Sequence, residues 1–301
     1  MVEASAEAVE VSRPRSASGD AASTWKLAWR RFRRHRMAMA GAAVVGLFAG
    51  LAILAPWAIP YAPTAQDLER MYGVPSLRHP MGTDELGRDV LTRIAYGGRV
   101  SLTIGVLAMG VAIAVGTLIG AAGGYYGGLL DSVLMRLTDL MLIFPDLILL
   151  ILLAGLFGTN FATIVAVIGA VRWMTVARLV RASVLSLKSA DFIEAARALG
   201  ASDVTVIVRH ILPNSAGPIV VAATLGTAGA IIAESTLSYL GLGVQPPTAT
   251  WGNMLQNAQD QFTTAPWTAV FPGLMIFLTV VSINYIGDGL RDALDPRTTV
   301  R

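Results

Sequence analysis

The sequence predicts an all-α integral membrane protein with six transmembrane helices, and three observations carry that expectation. Hydrophobic residues make up 54% of the 301 and charged residues only 14%, where a soluble domain carries roughly a quarter charged; mean hydropathy is +0.60. Apolar runs of about 20 residues recur, the length at which a helix crosses about 30 Å of hydrocarbon. Cationic side chains collect in alternate gaps between those runs, as the positive-inside rule requires.

Taken in order, the runs place spans at 38–59, 100–122, 133–157, 161–179, 216–240 and 266–287. Residues 1–24 are rich in Ala, Ser and Glu and read as a disordered cytoplasmic tail. In 25–37, Trp25, Trp29 and Phe32 recur at helical spacing with arginines on the other faces. This pattern suits a short helix lying in the membrane interface, or a plain cationic anchor. The run that follows is too long for the apolar core of a secretory signal and reads as a retained first span. Both termini, the 290–301 tail and the 180–215 loop then fall in the cytoplasm, with 60–98 outside. Five arginines in 60–98 and at its edge (Arg70, Arg78, Arg88, Arg93, Arg99) are matched by Asp67, Glu69, Asp84, Glu85 and Asp89, and 241–265 has no basic residue.

Pro145 and Pro272 lie inside spans and predict kinks, while Pro218 and Pro266 stand near span starts, where a missing amide costs little. Gly105, Gly110, Gly116 and Gly120 predict close helix approach along the second span. The absence of cysteine excludes disulfides. Basic residues lie beside spans, where orientation explains them, so nucleic-acid binding is not expected. In the outer loop, Thr83 or Asp84 is the expected cap of a helix start.

The segment DFIEAARALGASDVTVIVRHILPN, residues 191–214, interrupts this apolar chain with patterned charge. Asp191 followed by Glu194 has the layout of a capping box with Asp at the cap. Ala195, Ala196, Ala198 and Leu199 favour helix, and Gly200 suits the left-handed position just past a helix end. A second helix is expected from Ser202 to Leu212, with Pro213 ending it. The expected product is a helix–turn–helix with small alanines on one face, where a partner's cleft can close tightly.

Glu194-Ala195-Ala196, Gly200 and Leu212-Pro213 resemble the EAA signature of ABC-importer permeases. Where the family pattern has isoleucine two positions before Leu-Pro, this chain has His210, a departure common in the peptide-type branch. HPMGTDELGRD at 79–89, LSYLGLG at 237–243 and GDGLRDALDPR at 287–297 resemble that branch too. From about residue 25 to its end the chain is similar to the DppC/OppC-type permease subunits of dipeptide and oligopeptide importers. The resemblance implies a type I permease domain over 99–289 in a bacterial inner membrane. It also implies a second, DppB/OppB-like permease, two P-loop ATPase subunits and an extracytoplasmic substrate-binding protein. The loop would supply the coupling helix, with Asp191, Glu194, Ala195, Ala196, Gly200, His210, Leu212 and Pro213 shaping the ATPase contact.

The chain has two lysines, Lys26 and Lys188, neither in a Gly-Lys-Ser/Thr phosphate loop. ATP and Mg2+ therefore belong to the partner subunits, and no cofactor or catalytic group is expected here. Ionisable groups inside spans are costly and default to functional candidates. Asp146 is expected near the middle of span three, about 20 Å along it at helical rise, with Arg172 of span four as a candidate partner. Glu234, beside Ser235 and Ser238, has three readings: attraction of a peptide's amino terminus, closure of an outer gate, or a structural anchor. Two alternatives stand beside peptide import: the same machine carrying nickel, glutathione or opine-type cargo, and a proton-coupled secondary transporter using Asp146 or Glu234. The 60–98 loop either receives the binding protein or covers the outer mouth.

Overall fold

A computed structural model describes residues 21–295, and among these every regular element is helical apart from one isolated bridge between Thr83 and Asp89. Five helices are long and apolar enough to cross a membrane, and a sixth span exists if one sharply bent pair counts as a unit.

Helix α1 (Ala21–Arg34) precedes α2 (Arg36–Ala58). The short helix begins four residues before the expected 25, and the part of the 1–24 tail ahead of residue 21 lies outside the described residues. Its end comes at 34 rather than 37 because His35 leaves helical geometry and caps α2, its Nδ1 accepting from the Ala38 amide at 3.1 Å. Ala28 and Phe32 are buried in a small cluster with Ala38 and Ala293, so α1 lies against the bundle through one stripe. Trp29 remains exposed.

Helix α3 (Val90–Tyr126) has 37 residues, a rise of about 55 Å, and overruns the expected 100–122 at both ends. Asp89 is its cap: Oδ1 accepts from the Thr92 amide and hydroxyl, each at 2.7 Å. Neither Thr83 nor Asp84 takes the expected cap role. The helix starts early because Arg93 is buried against Asp84, which makes a charged residue tolerable in a segment that hydropathy alone excludes.

The expected single span 133–157 is instead α4 (Gly128–Leu142) and α5 (Asp146–Phe157), bent by 90°. Pro145 does more than kink a helix: it lacks an amide and disfavours helical geometry at Phe144, and its own carbonyl caps α5, accepting from Ile148 at 3.0 Å.

Helix α6 (Phe161–Leu187) starts where expected, capped by Asn160, but runs well past 179. It packs along α3. Gly116, Gly120 and Gly124 recur every four residues on one face of α3 and meet Trp173, Val176, Ala177, Val180 and Val184. The expectation for Gly105 also holds, since a Cβ there would meet Ile231, whereas Gly110 faces open space.

After α7 (Asp191–Ala198), α8 (Asp203–Thr205) and α9 (Leu212–Asn214), helix α10 (Ala216–Tyr239) packs against α3, α6 and α12. A short α11 (Trp251–Asn257) precedes α12 (Trp267–Leu294), which carries Pro272 internally. The supposed tail at 290 is still helix through Leu294. Helix α2 closes the bundle against α12 and α3.

Candidate functional site

Helix α7 stands at one end of the bundle. Its amides of Ile193 and Glu194 bond the Ala190 carbonyl at 2.8 and 3.2 Å, so Ala190 is the cap and Asp191 is the first helical residue. The expected Asp191–Glu194 capping box does not form. Both carboxylates instead lie in the first turn, where the positive end of the helix dipole favours them.

Position along the helix then separates two stripes. Ile193 is fully buried and belongs to the main core cluster with Val180, Val184, Val206 and Ile211. Phe192, Ala195 and Leu199, spaced i, i+3 and i+7, are all exposed, Leu199 at 90%. Sequence reading singled out Ala195 and missed Phe192 and Leu199. The signal was present: two large apolar residues seven apart, on the face opposite the buried isoleucine. Asp191 and Glu194 are exposed and Ala196 half-buried.

The helix end is as expected. Gly200 has φ +85°, its amide donates to Arg197 O at 2.9 Å, and the Ala201 amide donates to Ala196 O at 3.1 Å. These are the paired closing bonds of a left-handed helix end. Ser202 caps α8. The chain then passes through a π-helical segment, Val206–Ile211, and Leu212 donates to Ile207 O.

Pro213 therefore does not terminate the second helix. The wider turn of the π segment carries the chain through it to Asn214, whose side-chain amide donates to His210 O at 2.6 Å. Ser215 joins this stretch to α10, its amide and hydroxyl both donating to Ile211 O. His210 and Leu212 are half-buried and Pro213 exposed.

On the α4 side, Arg181 makes a two-pronged ion pair with Asp131, and Arg178 meets Asp139 at 2.5 Å. Asp131 and Asp139 were not singled out from sequence, although their eight-residue spacing matches one helix face and the two arginines lie three apart.

The intramembrane candidates are not brought together. Asp146 sits exposed in the first turn of α5. Arg172 does not pair with it: among the described residues Arg172 Nη2 donates to Gly229 O of α10 at 3.1 Å. Glu234 is fully buried, accepting from Ser101 Oγ at 2.9 Å and Ser238 Oγ at 2.7 Å. Ser101 also accepts from the Trp251 amide at 3.3 Å, and Trp251 Nε1 donates to Ile94 O at 3.0 Å. One carboxylate thus joins α3, α10 and the start of α11.

At that same end of the bundle, Asp84 organises the loop before α3. Its Oδ1 accepts from the Leu86 and Arg88 amides, and its Oδ2 meets Arg88 Nε at 2.7 Å and Arg93 Nε at 3.2 Å. Arg88 also pairs with Glu85, which accepts from Asn257 of α11 at 3.0 Å, and Trp267 Nε1 donates to Thr83 O. The HPMGTDELGRD stretch is therefore a charged clasp fastening the loop to α11 and α12.

Five helices long and apolar enough to cross a membrane, a sixth broken by 90°, a charged clasp at one end and an exposed helical knob at the other define the class: a multi-pass membrane protein. Residues 112–300 match the family described as the binding-protein-dependent transport system inner membrane component, and residues 23–76 match the N-terminal transmembrane domain of oligopeptide transport permease C. Glutathione transport system permease proteins GsiD of Escherichia coli O6:K15:H31 (strain 536 / UPEC) and Shigella boydii serotype 4 (strain Sb227) are 44% identical over 274 residues, covering 91% of this chain and 90% of each relative. The chain belongs to the ABC-importer permeases, and within them to the OppC/DppC type. Such subunits are non-catalytic and work in membrane complexes with ATPases, which hydrolyse the nucleotide, and binding proteins.

Proposed function

We propose that this chain forms half of the translocation path of a bacterial inner-membrane importer for short peptides. Its partners are a second, DppB/OppB-like permease, two ATPase subunits holding ATP and Mg2+, and an extracytoplasmic binding protein. Glutathione, itself a tripeptide, is the first cargo to test, because the relatives at 44% identity are named for it. In this reading α7 faces the cytoplasm, where the arginine-rich α1 and the Arg178–Arg181 edge satisfy the positive-inside rule.

The observation that carries the proposal is the exposed Phe192–Ala195–Leu199 stripe on a helix whose other face is anchored by Ile193 and whose end is locked by the Gly200 turn. A large apolar stripe in water is a docking surface, and its rigid mounting suits transmission of a domain closure to the bundle. Glu194, Ala195, Ala196 and Gly200 shape this contact, and Leu212 and Pro213 lead it into α10. Glu234 is a structural tie in this reading, since its acceptor sites are taken by serines of the same chain.

The test is purification from native membranes in mild detergent, identification of bound chains by mass spectrometry, and ATP-driven uptake of labelled glutathione and trialanine in vesicles containing the binding protein. Two P-loop ATPases, a second permease and uptake of either probe support the reading. A chain that purifies alone, or vesicles in which ATP drives neither probe, count against it.

A further inference from the structure

The end of α3 nearest the α7 hairpin carries a feature that neither the EAA segment nor the family match assigns. Tyr125 is 4% exposed at the penultimate position of α3. Its hydroxyl donates to Asp203 Oδ1 at 2.5 Å. Over its ring lie the Arg197 guanidinium, 5.2 Å from the centroid, and Lys188 Nζ, at 5.8 Å. The Tyr126 ring meets it edge-on at 5.2 Å.

The three charged partners come from three different places. Lys188 caps the end of α6, Arg197 is in the last turn of α7, and Asp203 opens α8. One ring therefore references both arms of the hairpin, and the helix feeding it, to α3. A hydrogen bond to a carboxylate and cation–π contacts are directional, so they fix orientation as well as proximity. The same α3 packs on α6 through Gly116, Gly120 and Gly124, and in its first half supplies Ser101 to Glu234. A push on α7 that reaches Tyr125 thus acts on a helix spanning the whole bundle.

We propose that Tyr125 is a positioning residue for transport: it clamps α7 and α8 to the end of α3, so that displacement of the docked helix moves α3 with it. This rests on the importer reading above. Without the clamp, the partner ATPases would still dock on α7 but would displace it against a slack bundle.

The experiment uses the complete complex in vesicles, with binding protein, ATP and whichever of glutathione or trialanine the wild type carries. It reads probe imported per ATP hydrolysed, and the stimulation of hydrolysis by the loaded binding protein. Tyr125→Phe keeps the ring and both cations but loses the bond to Asp203; Tyr125→Ala loses everything. The expected result for Tyr125→Phe is normal assembly and basal hydrolysis, with import per ATP lower by on the order of tenfold, the scale of one charge-assisted hydrogen bond. Asp203→Asn combined with Tyr125→Phe is expected to be no worse than Tyr125→Phe alone, because both remove the same bond.

A purely structural tyrosine would reduce the amount of assembled complex and leave import per ATP unchanged. That result in Tyr125→Phe overturns the inference while leaving the importer reading intact. If Tyr125→Ala fails to assemble, the Phe variant decides. A wild-type complex that imports neither probe would overturn the importer reading itself, and the inference with it.

Discussion

Gly120→Ala tests the packing on which any rigid movement of this bundle depends. A Cβ at Gly120 would lie 2.3 Å from the Ala177 carbonyl oxygen and 3.0 Å from both the Arg181 nitrogen and Val180 Cβ. Carbon and carbonyl oxygen normally keep about 3.3 Å apart even in close contacts, so α3 and α6 would have to separate by about 1 Å. The obstacle is helix backbone, which cannot swing aside as a side chain would. Gly116 and Gly124 lie one turn either way with hypothetical Cβ contacts of 2.6 and 3.0 Å, so the strain has no local outlet. Overpacking of this kind costs about 1–3 kcal/mol. Gly110→Ala on the same helix is the control: nothing lies within 4 Å of its Cβ, and alanine there should stabilise slightly, by up to about 1 kcal/mol of helix propensity. Thermal unfolding of the detergent-purified complex, followed by retention of monodisperse assembly, would read both. The expected order is Gly110→Ala at or above wild type and Gly120→Ala a few degrees below it. Equal stability of the two variants, or the reverse order, would refute the account of the α3–α6 seam.

Three further outcomes follow from the hairpin and the clasp. Glu194→Lys and Leu199→Asp should each leave membrane insertion intact while weakening ATPase co-purification and uptake together; a normal complex with normal uptake would remove α7 from the docking surface. Gly200→Val places a β-branched residue at φ +85° with no steric neighbour within 4 Å, so the penalty is backbone strain of about 1–2 kcal/mol. It should lower uptake, and Gly200→Asn, which tolerates that conformation, should recover most of it. Asp84→Leu leaves Arg88 and Arg93 buried without their shared carboxylate, a loss of about 3–5 kcal/mol, and should expose the 61–89 loop to added protease in right-side-out vesicles; unchanged protection would show that the clasp is dispensable.

Local physics explains which expectations held. The left-handed turn at Gly200 depends on residues within a few positions of each other, and it forms as expected; the cap at Ser202, equally local, is a finding of the structure. The expected cap at Asp191 failed by a single residue, because Ala190's carbonyl closes the first turn and two acids tolerate the next position equally well. Pro213 was read as a terminator, but the π segment before it relieves the crowding a proline imposes on a regular helix. Pro145 breaks its span by 90° where a kink is expected, because it disfavours helical geometry at Phe144 and its carbonyl starts a new helix at Asp146.

The sequence by itself determined the class of protein, since recurring apolar runs of about twenty residues match the length a helix needs to cross a bilayer. It also determined the turn at Gly200 within the 191–214 segment, whose chemistry is local. Only the tertiary structure decided where α3 begins, because Arg93 is tolerable in a buried helix only once Asp84 reaches it. Only the tertiary structure made Glu234 a tie and not an open carboxylate, through Ser101, 133 positions away. The same holds for the exposure of Phe192 and Leu199 and for the convergence of Lys188, Arg197 and Asp203 on Tyr125. Each of these depends on which faces of distant helices meet, and hydropathy along one chain carries no record of that.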